Sequence, residues 1–472
     1  MVATTTTTTS RTWATGRLPP DVVELVTPPG KLAAKRKALQ ESGPFGLKGV
    51  VLLALAAVPV WSVLVLETLA RAWKLGSLAA ALAPPCDPDA LAGARSPWPF
   101  ETNEFSVPVD GGRFRLGCVE LTATPGNARK PLALFLSGFP ELPFSWRHTM
   151  PAVAAKGYRC VALAMRGYHG SDAPLGAENY GLRRLADDVR DVCAALTAGG
   201  KGGDKEEEVL LVAHDWGGSV AWAAAALHGV HRGGQIGRMV VMALPPLALY
   251  GANLSPGQCM RSSYVLRFQL PVLPEAALLA DGAKPVGLVF TAPGIGCVTL
   301  EAEAEARDRA GAVAGGKSGG GEGGGADASA ALSPLRMSDA DVAVYRHAFA
   351  QPGRATAALD YYRAILRLFL APALAPLGLL RAYRDDALFA ALRRPLDGLP
   401  VLLLHGDSDV ALSTSLTDGW EAVCPNEGSR AFLLGRCSHW IPQDRPRAVA
   451  ELLDMWLPAA AAGEGAGAGA DE

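Results

Sequence analysis

One acidic residue stands where a buried strand passes directly into a helix. The apolar run 209–214 ends at Asp215, and the segment 216–218, Trp-Gly-Gly, follows at once. Small residues on either side, Ala213 and Gly217, leave room for a tight strand-to-helix turn that presents the central side chain above a sheet. Such a turn usually carries a nucleophilic serine. Asp215 is therefore the candidate nucleophile, although an aspartate before a helix is more often an N-cap.

An acidic residue and a histidine follow Asp215 in the chain order that usually accompanies this kind of turn. Asp407 and Asp409 come after the apolar run 401–404, and His439 comes after the last apolar run. Functional groups of parallel sheets gather at the carboxyl ends of the strands, so these side chains can reach Asp215. We assign His439 as the general base and Asp409, in preference to Asp407, as the acid that orients it.

Backbone donors are expected beside the nucleophile. The run 132–136 ends in Ser137-Gly138-Phe139, a loop that can stabilise a developing oxyanion. We predict that the N–H groups of Phe139 and Trp216 supply this stabilisation.

The elements that must position these residues alternate in type. Short apolar runs are separated by longer amphipathic segments, a pattern typical of an α/β fold with a mostly parallel sheet flanked by helices. An initial hairpin is predicted from 105–108 and 113–121. The remaining predicted strands are 132–136, 160–164, 209–212, 239–242, 401–404 and 431–434.

The stretch between Asp215 and Asp409 is longer than the core needs, which predicts an inserted helical cap. The predicted organisation is a low-complexity and basic segment 1–48, a transmembrane anchor 49–70, core 98–246, cap 247–395 with a Gly-rich insertion 300–335, core 396–458 and a tail 459–472.

The composition of the chain argues against some classes of binding partner. The formal net charge is −2, which gives no electrostatic reason to bind nucleic acid. The eight cysteines form no CxxC pair, and no His spacing indicates zinc, so we expect no metal site; the ester mechanism given below would need no cofactor either. A small molecule is the better default ligand.

An apolar segment near the N-terminus predicts membrane attachment. Residues 49–66 contain no charge, and the apolar stretch continued to residue 70 is long enough to cross a bilayer. Basic residues are denser before it than after it, which predicts a single pass with the N-terminus in the cytosol and the folded domain on the opposite side. We expect the endoplasmic reticulum rather than a chloroplast envelope.

Several further motifs make the chain similar to a known family. They are Gly138-Phe139-Pro140-Glu141, Phe144-Ser145-Trp146-Arg147, Arg166-Gly167-Tyr168 with Gly170-Ser171-Asp172, the elbow His214–Gly218, Phe268-Gln269-Leu270-Pro271 with Leu273-Pro274-Glu275, Gln351-Pro352-Gly353, Tyr361-Tyr362-Arg363, and His439-Trp440 with Gln443. Across residues 99–457 the sequence resembles the epoxide hydrolases of the α/β-hydrolase fold, in particular the branch with an N-terminal membrane anchor. Ser137 stands where that family usually has histidine.

The resemblance implies an activity and a proton donor. In the family, a cap tyrosine that matches Tyr362 protonates the epoxide oxygen, usually beside a second cap tyrosine, for which Tyr264 is the nearest candidate. Asp215 would form an alkyl ester, and His439 would activate water to hydrolyse it to a diol. The expected partners are a small hydrophobic epoxide, such as a fatty-acid epoxide, together with water and a membrane.

Two other functions use the same residues. A haloalkane-type dehalogenase shares the Asp/His/Asp set, but halide release needs N–H donors rather than phenols, so Tyr362 favours the epoxide. A membrane-tethered binding protein without catalysis is the alternative from another class. Intact Asp215, Asp409 and His439 argue against it.

Overall fold

The computed structural model describes residues 18–19, 21–41, 62, 65–70, 72, 98–122, 130–198, 208–229, 233–292, 294–297, 337–374 and 380–458. The Gly-rich insertion and the tail predicted from the sequence lie wholly outside these residues, and so does most of the segment 49–70.

A nine-stranded sheet forms the centre of the described structure. Its strands are β1 (Val22–Glu24), β2 (Thr102–Val109), β3 (Phe114–Leu121), β4 (Leu132–Leu136), β5 (Arg159–Leu163), β6 (Val209–His214), β7 (Ile236–Met242), β8 (Val401–Gly406) and β9 (Arg430–Leu434). They are arranged in the order β1-β9-β8-β7-β6-β4-β5-β3-β2. The six strands from β9 to β5 are parallel to their neighbours, whereas β1, β3 and β2 pair antiparallel. The predicted mostly parallel sheet is confirmed.

The central strands are apolar on both faces because both faces are covered. In β4, Leu132, Leu134 and Leu136 pack into one buried cluster, and the alternate residues Ala133 and Phe135 pack into another. Successive strand residues point to opposite sides of a sheet, so a strand buried on both sides must be continuously apolar. The sequence signal of short uncharged runs follows directly from this.

Helices cover the sheet and fill the insertion between β7 and β8. Those described are α1 (Pro29–Glu41), α2 (Met150–Ala155), α3 (Leu182–Thr197), α4 (Trp216–His228), α5 (Leu247–Tyr250), α6 (Pro256–Arg261), α7 (Tyr264–Arg267), α8 (Leu273–Leu278), α9 (Ala280–Thr291), α10 (Asp339–Ala350), α11 (Arg354–Leu374), α12 (Asp386–Leu392), α13 (Ile441–Asp444) and α14 (Pro446–Trp456). Apolar residues of α3 and α4 lie on one face of the sheet, and those of α2 and α14 lie on the other. Helices α5 to α12 lie within this insertion, which is called the cap below.

The N-terminal segment is part of the folded domain, which the sequence analysis did not predict. Strand β1 pairs with β9, with Val23 opposite Leu433. The carboxylate of Glu421 accepts hydrogen bonds from both the backbone N–H and the hydroxyl of Thr27, at 2.7 and 2.5 Å. The indole of Trp420 donates to the carbonyl of Leu25. Residues 22–27 are therefore bonded to the folded core.

This pairing disagrees with a single membrane crossing within residues 49–70. One crossing there would place β1 and β9 on opposite sides of a hydrocarbon core about 30 Å thick. The two strands are instead hydrogen-bonded in one sheet. Among the residues that the structure describes, no helix has the length and apolar character needed to span a bilayer.

Candidate active site

The turn between β6 and α4 holds Asp215 in a conformation that side chains rarely adopt. Its φ and ψ are 50° and −121°. Its backbone N–H donates to the carbonyl of Met242 on the next strand at 3.2 Å. A Cβ on Gly217 would collide with the backbone carbonyl of Leu136, so only glycine fits after Trp216. Neighbouring strands thus hold a strained turn that projects the carboxylate from the carboxyl edge of the sheet.

His439 connects Asp215 to a second carboxylate. Its Nε2 lies 3.3 Å from Oδ2 of Asp215, and its Nδ1 lies 2.8 Å from Oδ2 of Asp409. The other oxygen of Asp409 accepts from the backbone N–H groups of Ala411 and Leu412, each at 2.8 Å. The structure therefore brings together the three residues assigned as nucleophile, base and acid. Asp407 instead accepts from the N–H of Cys437, which fixes the histidine loop.

Neighbouring charges change the pKa values of Asp215, Asp409 and His439 more than burial does. Burial raises the pKa of Asp409. The neighbouring His439 and backbone donors lower it by more than that, so the pKa falls to about 2. Burial likewise raises the pKa of Asp215, and His439, His214 and the Phe139 N–H bring it below its usual value. Burial lowers the pKa of His439, whereas the two carboxylates raise it to well above 6.5. The two carboxylates therefore favour the protonated form of the imidazole that lies between them.

The loop after β4 supplies a donor to the nucleophile. The N–H of Phe139 donates to Oδ1 of Asp215 at 2.7 Å. A Cβ on Gly138 would overlap the Asp215 side chain, so this close approach needs glycine. The Ser137 hydroxyl donates to the carbonyl of Leu142 at 2.9 Å and ties the loop to itself. The donor role of the Trp216 N–H remains a prediction.

Two residues near the triad had no role in the sequence analysis. His214 is fully buried, and its Nδ1 lies 2.6 Å from Oε2 of Glu141 while its Nε2 lies 2.8 Å from the carbonyl of His439. Burial lowers the pKa of His214, but Glu141 overcomes this and raises it, so both ring nitrogens donate. Glu141 also accepts from the N–H of Gly138 at 3.0 Å. The pair joins the loops of the base and the backbone donor.

A cavity of about 120 Å³ opens beside the nucleophile. Asp215, Trp216, Tyr264 and Tyr362 all line it. The rest of its wall is mainly apolar and includes Leu247, Leu254, Val265, Ile365, Leu366 and Phe369. One nucleophilic carboxylate and two phenols therefore face one apolar space.

The adjacent tyrosines of α11 have different surroundings. Tyr362 lies edge-on to the rings of Trp216 and Tyr264, with centroids 5.0 and 5.7 Å away. Tyr361 donates instead to the carbonyl of Arg166 at 2.6 Å, away from the cavity lining. Burial, then the charge of Asp215 and the neighbouring phenol, hold the pKa of Tyr362 well above 10, and burial also raises that of Tyr264. Both phenols are protonated at neutral pH.

No group of three or more His, Cys, Asp or Glu side chains within the described ranges could hold a metal ion. The chemistry that this geometry supports is nucleophilic attack by a carboxylate, with proton donors across an apolar cavity.

Comparison with known proteins agrees with this geometry. Residues 131–279 match a family model described as the alpha/beta hydrolase fold. A crystal structure of epoxide hydrolase A from Mycobacterium thermoresistibile is similar, with a TM-score of 0.51 and 25% identity, over 76% of this chain and 99% of that one. The chain has the α/β-hydrolase fold.

Most of the curated relatives of this chain are named epoxide hydrolases. Epoxide hydrolase 3 of Mus musculus is 29% identical over 90% of this chain and 95% of its own length. The AB hydrolase superfamily protein YfhM of Bacillus subtilis is 27% identical over 71% of this chain and 93% of its own.

Proposed function

We propose that this protein is an epoxide hydrolase, which converts epoxides to vicinal diols through an ester on Asp215. The observation that carries the proposal is the cavity lined jointly by Asp215, Tyr264 and Tyr362. An ionised carboxylate can open a strained three-membered ether without a separate base, and the ring oxygen then needs a proton donor. The names of the relatives support the same activity.

Ring opening uses the two sides of the cavity together. The Phe139 N–H holds Oδ1 of Asp215, which leaves Oδ2 to attack an epoxide carbon. The C–O bond of the ring breaks as the ester bond forms, and Tyr362 gives its proton to the departing oxygen. Burial keeps this phenol protonated until an alkoxide, a stronger base than a phenolate, develops beside it. Tyr264 donates a second hydrogen bond to the same oxygen.

Ester formation then prepares the base. Once Asp215 becomes a neutral ester, His439 loses one of the two carboxylates that raise its pKa. The proton that His439 then loses returns to the Tyr362 phenolate, and neutral His439, still oriented by Asp409, takes a proton from water as the hydroxide attacks Cγ of Asp215. The Phe139 N–H, already 2.7 Å from Oδ1, stabilises the tetrahedral oxyanion. Collapse of this intermediate breaks the ester C–O bond, and the proton of the added hydroxyl passes to the departing alkoxide, which releases the diol and restores the carboxylate.

The residues around the cavity also favour epoxide hydrolysis over dehalogenation and over binding without catalysis. A halide leaving group accepts no covalent proton, so two phenols beside the nucleophile match an epoxide oxygen better. A binding protein would not need Asp409 and His439 aligned behind Asp215 at hydrogen-bonding distances. The apolar lining favours hydrophobic epoxides, including those of fatty acids.

Membrane attachment is a separate part of the proposal. The uncharged residues 49–66 supply the apolar surface, and both flanking segments lie on one side, so we propose binding to one leaflet, that of the endoplasmic reticulum. Glu67 pairs with Arg267 of the cap at 3.3 Å, and Leu66 and Leu69 are exposed beside it. Flotation with lipid vesicles tests the binding. Tags placed before residue 18 and after residue 458 should then be equally accessible to protease, whereas protection of only one would restore the single crossing.

The activity is tested with purified protein and matched substrates. A fatty-acid epoxide, an aryl epoxide and a chloroalkane are supplied separately, and diol and chloride are measured. We expect diol from the epoxides and no chloride. With enzyme in excess and H₂¹⁸O as solvent, the first diol should be unlabelled and Asp215 should carry the label, because water attacks Cγ of the ester. Diol labelled in the first turnover, or no diol from any epoxide, would refute the proposal.

Tyr362→Phe and Tyr264→Phe test the proton donors. Tyr362→Phe should slow ring opening by about 10²- to 10⁴-fold, because the proton transfer is lost. Tyr264→Phe should slow it less, because only one hydrogen bond is lost. Tyr361→Phe is the matched control, since its hydroxyl bonds to the Arg166 carbonyl. Equal losses in all three variants would mean that the phenols act only in packing.

A further inference from the structure

The acid of the triad lies on a short loop between β8 and the turn at residue 414. Besides the contacts of its carboxylate with His439 and with two backbone N–H groups, its carbonyl accepts from Arg261 at 2.6 Å. His405 lies 3.0 Å from the carbonyl of Leu412 in the same loop. The loop therefore depends on neighbours for its shape, and one of those neighbours is the cap.

Gln258 of helix α6 forms most of this connection. Its side-chain nitrogen donates to the carbonyl of Ala411 at 2.8 Å, and its side-chain oxygen accepts from the N–H of Ser413 at 2.8 Å. These two bonds flank Leu412, whose N–H donates to Asp409. Gln258 is fully buried, and the hydroxyl of Ser262 occupies its remaining donor at 2.9 Å. Such a saturated amide holds a loop far more firmly than a solvated one.

We infer that Gln258 is a positioning residue for Asp409, through which the cap fixes the acid of the core. This inference rests on the proposed function. The amide neither touches the reacting atoms nor lines the cavity, and its two bonds to the core are both to the loop that carries Asp409. Because Asp409 orients His439, and His439 acts only on the ester, loss of Gln258 slows ester hydrolysis and spares ring opening.

The same helix faces the substrate. Cys259 follows Gln258 directly and lines the cavity, as do Ser262 and Tyr264 a few residues later. The residue that bonds to the Asp409 loop and residues that line the cavity thus lie within one short stretch of the cap.

The test measures both half-reactions by rapid quench in Gln258→Met, which keeps length and volume but cannot make the amide bonds. Displacement of a catalytic group by an ångström costs up to about 10²-fold, so hydrolysis should fall by about 10- to 100-fold with ring opening changed less than about twofold. The burst amplitude counts folded active sites. Asn253→Leu is the control, since this cap amide bonds to the carbonyls of Leu416 and Asp418, beyond the acid turn. It should leave the ratio of the two rates unchanged.

A second pair of variants changes Ser413, the core residue whose N–H donates to Gln258. Ser413 has φ −66° and ψ 140°, values that proline adopts, so Ser413→Pro removes the N–H donor to Gln258. Ser413→Ala keeps this donor and is its control. Only the proline variant should reproduce the slow hydrolysis.

A double-mutant cycle decides whether the effect passes through the acid. Gln258→Met should slow hydrolysis no further when Asp409 is already asparagine. Additive losses, or equal slowing of both half-reactions, would overturn the positioning role. The wild-type protein is measured in parallel: if it fails to open any epoxide, the proposed function fails, whereas normal turnover with unchanged Gln258→Met rates rejects only this inference.

Discussion

Replacement of His439 by glutamine should separate ring opening from ester hydrolysis. Glutamine can still donate to Oδ2 of Asp215, 3.3 Å from the imidazole nitrogen, but it cannot accept a proton from water. Loss of a general base costs about 10² to 10⁴ in the step it serves, or about 3 to 5 kcal/mol of barrier. Ring opening loses at most part of one hydrogen bond, so it should change less than about tenfold.

The variant should therefore consume one equivalent of epoxide and stop as the ester. Rapid quench followed by mass spectrometry of the peptide containing Asp215 measures the ester, and released diol is measured in the same samples. His228→Gln is the matched control, because this histidine pairs with Asp187 at 2.9 Å, at the end of α4. Absence of the ester in His439→Gln, despite normal folding and substrate binding, would mean that the base has been assigned to the wrong residue.

Three further predictions concern pH and stability. Asp409→Asn should lower the pKa of His439, because the carboxylate that raises it is lost. In single-turnover pH profiles of ester hydrolysis, the midpoint should then move to lower pH and the plateau rate should fall. An unchanged midpoint would contradict this. Asp188→Asn breaks a two-point pair with an arginine that is 1% exposed, and urea unfolding should show a loss of about 3 to 5 kcal/mol. Glu421→Gln should cost about 1 to 3 kcal/mol, because it turns an amide N–H toward donors of Thr27; a melting temperature equal to wild type would show that the N-terminal segment adds no stability.

The sequence predicts the parts of the molecule whose signals are local. Strands such as β4 and β8 are buried on both faces, and a continuous apolar run reports that burial. The elbow is equally visible, because Asp215 and Gly217 meet a steric demand of the turn itself. Tyr362 was placed by resemblance to a family, and the structure then puts it on the cavity wall.

The features missed depend on partners far away in the chain. Strand β1 contains three residues and pairs with a strand about 400 positions later, so no periodicity of its own marks it. Gln258 has the same character: a glutamine in an amphipathic cap helix is ordinary until Ala411 and Ser413 are found against its amide. The apolar run 49–66 predicts a crossing by its length, whereas the pairing of β1 with β9, which argues against a single crossing, is visible only in the fold.

Strand β1 also shields the molecule from self-association. Without it, β9 would be an edge strand whose open N–H and C=O groups could template a neighbouring chain. A chain shortened to begin near residue 98, which discards the apolar segment in order to improve solubility, would uncover that edge. Removing only residues 42–97, with a flexible linker in their place, would keep β1 and α1 in position. Of these two shortened proteins, the one that retains residues 18–41 should stay monomeric at higher concentration.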